Sequence, residues 1–177
     1  GEVAVTNGQF SGNRASGGNG GAAGTTGGTL TISAAALSGN EAAFGGALAV
    51  SSGNVTLRAS TVRDNRAGDG GGLAAGLNGA MAIANSTLNG NQASVSGGGL
   101  VNAGAMTLDN VTVSGNSAGA SGGGAQNVDG ALTLRRSLIA GNSGPAGREA
   151  NKAGGVINAN SHNLFGFGGN AGLGGGF

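Results

Sequence analysis

Short runs in which apolar residues alternate with small or polar ones recur along the whole chain, and each opens on a glycine. Gly1 precedes EVAV, Gly28 precedes TLTI, Gly53 precedes NVTL and Gly79 precedes AMAI. Gly104 precedes AMTL, Gly130 precedes ALTL and Gly155 precedes VINA, so the interval is 25 to 27 residues throughout. Alternation with a period of two is the pattern of a strand with one buried face. The first inward column reads Val3, Leu30, Val55, Met81, Met106, Leu132 and Ile157. The second reads Val5, Ile32, Leu57, Ile83, Leu108 and Leu134, ending in Ala159. A third column, Phe10, Leu37, Val62, Leu88, Val113, Ile139 and Leu164, predicts a second short strand. A third strand is predicted after Gly-Gly pairs, as in ALAV at 47–50 and GLV at 99–101.

Two further landmarks keep the same beat. Tripeptides ending in Asn13, Asn40, Asn65, Asn91, Asn116 and Asn142 read SGN, SGN, RDN, NGN, SGN and AGN. Gly-Gly followed by a small or apolar residue recurs at 45–47, 71–73, 98–100 and 123–125. A unit of this length cannot bury its apolar columns alone and does so only by stacking on its neighbours. With one repeat per coil, equivalent residues lie about 4.8 Å apart, the spacing of paired strands. The expected fold is an all-β right-handed parallel β-helix, or β-solenoid, of about seven coils with three short strands each. Its hand follows from the right-handedness of parallel crossovers. Residues 1–154 supply six coils, and 155–177 a last partial coil and a Gly- and Phe-rich tail.

Composition acquires a reason in that frame. The 177 residues include 43 Gly, one Pro and no Cys, Trp or Tyr. Gly and Asn supply the left-handed conformations that corners need. An Asn at the same corner of every coil predicts a side-chain amide ladder along the axis. Pro is scarce because it donates nothing to a ladder of central strands. Without Cys there is no disulfide framework, zinc ribbon or thiol nucleophile. A net charge of +1 provides no field for nucleic acid. No apolar run reaches the roughly 18 residues of a membrane-spanning helix. No cofactor or metal motif emerges, and the Gly-rich stretch at 18–24 is followed by no helix pattern.

The units at 130–144 (GALTLRRSLIAGNSG) and 104–127 (GAMTLDNVTVSGNSAGASGGGAQN) resemble the parallel β-helix repeats of secreted and surface-anchored bacterial proteins. These include choice-of-anchor proteins and polymorphic outer-membrane and autotransporter passengers. Asn163-Leu164-Phe165-Gly166 is similar to the closing element of the choice-of-anchor group. The resemblance implies an extracellular or cell-surface location and a fragment of a larger secreted protein. It implies a structural role as an adhesin stalk or a stacking fibre. Its partners would be a second copy end to end, neighbouring domains of the same chain, or surface glycans.

Few residues suggest chemistry. Arg14, Glu41 and Arg66 each follow a ladder Asn and predict an outward row of alternating charge, and Asp109 and Arg135 share another column. A carbohydrate-active enzyme is the alternative, and glycoside hydrolysis needs two carboxylates about 5–9 Å apart on one groove. Asp64 and Asp69, beside Arg63 and Arg66, are the candidates, and the reading favours no catalytic activity. His162, the only histidine, is assigned to the column of Ser60, Ser86 and Ser137, as a packing residue. Asn54, Asn85 and Asn110 open N-glycosylation tripeptides, as expected by composition. Thr31, Thr56, Thr107 and Thr133, interrupted by Ala82, form a small polar outward face, and Thr-rich faces of this kind resemble those that bind ice.

Overall fold

The computed structural model describes residues 1–166, and the rest of the Gly- and Phe-rich tail lies outside the described residues. The chain is a parallel β-helix, with strands and turns and, among the described residues, no helix. On the first face, strands at Glu2–Thr6, Ala23–Ser33, Leu48–Arg58, Leu73–Asn89, Ala105–Ser114, Ala131–Arg135 and Val156–Ser161 pair in succession, every pair parallel. These pairings set about six turns. The second face runs from Gln9–Ser11 through Ala36–Ser38 and Thr61–Arg63. It continues on residues 87–89 and 112–114 to Leu138–Ala140. The third face runs through residues 48–50 and 73–75 to Leu100–Asn102, Ala125–Asn127 and Ala150–Lys152. Beside these, a further short run pairs directly after each ladder Asn, as at Arg14–Asn19, Glu41–Phe44 and Arg66–Asp69.

Register explains the columns. Val3 stands on Leu30, Leu30 on Val55, Val55 on Met81, Met81 on Met106, and Met106 on Leu132. Ile32, Leu57, Ile83, Leu108 and Leu134 make the second inward column, and all five are essentially inaccessible to solvent. Leu37, Val62, Leu88, Val113 and Ile139 fill the second face from inside, so one continuous core runs along the axis. Burial of this kind contributes roughly 1.5–3 kcal/mol per large aliphatic side chain.

The last coil departs from the expected register. The first-face pairing slips by one residue between Thr133 and Arg135, which faces Ser161. An extra residue in one strand moves every later side chain by one place. Leu164 therefore pairs with Leu138 and is 65% exposed, and Phe165 takes the inward place on Ile139. His162 likewise leaves the serine column: it occupies the corner with φ 51°, and Asn163 stands in line with Ser137. A second correction concerns the Gly-Gly landmark. Ala47 donates its N–H to Gly72, and Leu48 rather than Ala47 pairs with Leu73, so the aligned units are 45–48, 70–73, 97–100 and 122–125.

The corner between the first and second faces is left-handed in every coil. Asn7, Ala34, Ala59, Asn85, Asn110 and Arg136 have φ between 47° and 56° there. At the corner before the third face, tight approach matters more than φ. A Cβ on Gly98 would lie 2.3 Å from the Gly123 carbonyl oxygen, and one on Gly71 2.4 Å from that of Gly98.

Candidate functional site

The predicted ladder positions are joined by hydrogen bonds rung to rung. The Nδ2 of Asn13, Asn40, Asn65, Asn91 and Asn116 each donates to the Oδ1 of the next Asn at 2.9 Å. Each backbone N–H donates to the same Oδ1 at 2.9–3.1 Å. From Asn40 onward the second Nδ2 proton goes to a second-face carbonyl one coil back, as from Asn65 to Leu37 and from Asn91 to Val62. An internal rung thus uses both amide protons and both oxygen lone pairs, the full capacity of the group.

Glu149 ends this column. Its Oε2 accepts the backbone N–H of Asn142 at 3.2 Å and the Asn142 Nδ2 at 2.7 Å, while Oε1 accepts the Gly141 N–H at 3.0 Å. Only 2% of the residue is exposed. It stands where Gly124, Gly99, Gly72 and Ala47 stand on earlier coils, an inward place that admits a long side chain only where no further Asn must be accommodated. No repeated motif marks Glu149 in the sequence, since its place is held by Gly or Ala on the other coils.

Two smaller ladders were also missed. Ser60 and Ser137 accept backbone N–H groups of Ala35 and Val111 on their hydroxyl oxygens, and Ser86 accepts that of Ser60. On the third face, Asn102 Nδ2 donates to Asn127 Oδ1 at 2.7 Å. Asn102 Oδ1 faces no donor although it is buried.

The charged candidates are dispersed. Arg14, Glu41 and Arg66 do share a register column, and Arg14 pairs with Glu41 at 3.1 Å, whereas Arg66 donates to Gln92 Oε1. Asp109 stands opposite Arg135, but the ion pair forms with Arg136 instead, which reaches back from the corner. Asp64 pairs with its neighbour Arg63 at the corner before Asn65, and Asp69 lies at the far end of the following strand, hydrogen-bonded to Ser96. The structure does not bring these two carboxylates onto one groove. Among the described residues no group of three or more acids, histidines or cysteines gathers to hold a metal.

The threonine row is in register: Thr31 on Thr56, Thr56 on Ala82, Ala82 on Thr107, and Thr107 on Thr133. It is not level, because a shallow depression lies over Ala80 and Ala82.

A concavity lies on the outside of the third face. Its floor is Ala49, Ala74 and Val101, outward residues that are nonetheless 4–8% exposed. One wall carries Asn19, Phe44 and Asp69, which occupy one register column. The other carries Ser51, Gly76, Ala103 and Val128. The cavity volume is about 440 Å³. A hydrogen bond from Asn19 Nδ2 to Ser51 Oγ joins the two walls at the N-terminal end. Phe44 is 49% exposed and Val128 45%. Phe44 carries no sequence signal, since no other coil has an aromatic residue at its register place.

No known family, curated protein or solved structure matches the chain.

Proposed function

We propose that the chain is a structural module of a secreted or cell-surface protein, a rigid β-helical rod serving as adhesin stalk or fibre segment. The observation that carries this reading is the unbroken axial column from Asn13 to Glu149, in which internal amides are fully used. A column of this kind couples each coil to the next by side-chain bonds in addition to the strand ladder. The dispersal of Asp64 and Asp69 favours the rod over a polysaccharide-degrading enzyme. The resemblance of the repeats to secreted and surface-anchored bacterial proteins supports the location. Among the described residues no helix is long and apolar enough to cross a membrane.

Partners follow from the same reading: further coils of the same chain, or a second copy stacked end to end. Val3, on an inward column but on the first rung, is 57% exposed, so another rung there would cover apolar surface. Stretching single molecules tests the rod directly. A rod of this construction unfolds in discrete coil-length steps at high force, and a smooth low-force extension would refute it. Light scattering over a concentration series reports stacking, and depolymerisation assays on a polysaccharide panel report the enzymatic alternative.

A further inference from the structure

The groove on the third face has a definite chemistry. Three small aliphatic residues form its floor, and an aromatic ring and a carboxylate share one wall on adjacent rungs, where Phe44 pairs with Asp69. Rungs are about 4.8 Å apart, so a ring and a carboxylate on neighbouring rungs can engage one cationic head together. Ser96 binds Asp69 only through Oδ1, by its backbone N–H and hydroxyl, and no described donor reaches Oδ2. Among the described residues Asp69 is the only charged one lining the groove, and Arg66 on the same strand turns to the opposite side, where it lines a separate depression with Gln92.

We infer that this groove receives a basic side chain of a partner protein, with its aliphatic stem on Ala49, Ala74 and Val101 and its charged head between the Phe44 ring and the Asp69 carboxylate. Lysine and arginine lay their methylene stems on apolar surface while the head keeps a polar partner. An anion is repelled by Asp69, and a neutral apolar group leaves Asp69 Oδ2 without a partner. The Asn19–Ser51 bridge closes one end, which suits a single side chain better than a polymer laid along the axis. The inference does not rest on the rod reading: a rod that stacks but binds no cation, or binds one without stacking, separates the two.

The test is a nuclear magnetic resonance titration of the full chain with N-acetyl-lysine methylamide, with the norleucine analogue and a methyl glycoside as controls. Lysine amide should shift the resonances of Phe44, Asp69, Ala74 and Val101 first, and the effect should weaken with added salt. Asp69→Asn keeps an oxygen for Ser96 and should weaken binding about 10-fold by removing the charge. Phe44→Leu keeps apolar bulk and should weaken it about 3-fold. Ala74→Leu fills the floor without touching Asp69 and should abolish it, which keeps the test decisive if Asp69→Asn disturbs its corner. Equal binding of the norleucine analogue, preference for the glycoside, unchanged binding in Asp69→Asn or Ala74→Leu, or no shifts in the groove would each overturn the proposal.

Discussion

Glu149 accepts hydrogen bonds from both the backbone and the side-chain amide of Asn142, taking the part that the next asparagine plays on every earlier rung. It takes three N–H groups in all, and the two from Asn142 would otherwise be buried without partners. Glu149→Ala should therefore lower stability by about 3 kcal/mol, since each buried donor left unpaired costs about 1–3 kcal/mol. Glu149→Gln retains one acceptor oxygen and should lose about half as much. Urea denaturation of the three proteins checks the order.

In the middle of the ladder the amide itself is required, and its shape alone is insufficient. Asn91→Asp keeps the oxygen that serves Asn65 but turns the donor to Val62 and Asn116 into a second acceptor. Asn91→Asp at neutral pH should destabilise at least as much as Asn91→Ala, by about 3 kcal/mol or more, because a buried carboxylate oxygen set against two acceptors is costly. Asn13→Ala, at the exposed end, should cost about 1 kcal/mol. Thermal and chemical denaturation distinguish these values.

The left-handed corner offers a gain. Ala59 has φ 47° beside Asn85, and Asn110 Nδ2 donates to Asn85 Oδ1 at 2.8 Å. Ala59→Asn removes an unfavourable alanine conformation and can add a rung to that exposed amide pair. A stabilisation of about 0.5–1 kcal/mol is expected, read as a rise in the denaturation midpoint with an unchanged slope.

Two glycines of the same composition class should behave oppositely. Gly98→Ala drives a Cβ into the Gly123 carbonyl and should cost about 3 kcal/mol or prevent folding. Gly27 has ordinary φ and open space around the missing Cβ, so Gly27→Ala should be neutral or stabilising by about 0.4–1 kcal/mol. Expression level and midpoint together report the contrast.

Much of this architecture was legible in the residues. Period-two alternation located the inward columns of Leu30 to Leu134, because burial on one face of a strand leaves a repeating trace. The asparagines were legible for the same reason: a ladder needs one residue type at one place on every coil. What recurs only once leaves no such trace. Glu149 stands in a place held elsewhere by Gly or Ala, and its partner Asn142 precedes it by seven residues across a corner. The one-residue slip near Asn158 moved Leu164 outward and Phe165 inward, and a sequence interval cannot tell a bulge from a longer turn. Arg136 captured Asp109 because a corner side chain reaches across rungs, although Arg135 holds the register place. The groove was hidden because its floor, Ala49, Ala74 and Val101, is made of small residues on the outer side of the strands, and its walls, such as Phe44 and Ser51, flank those strands without any recurring residue type.

The amide column also has a direction. Every side-chain carbonyl in it points toward the first coil and every NH₂ toward the last, as the donor and acceptor roles require. Aligned amide dipoles add, as they do along a helix, leaving a partial positive pole at one end and a negative pole at the other. The positive pole falls at Asn142, where the structure places the carboxylate of Glu149. The rod is thus electrically polar along its length, and its positive pole is met within the chain by its own anion.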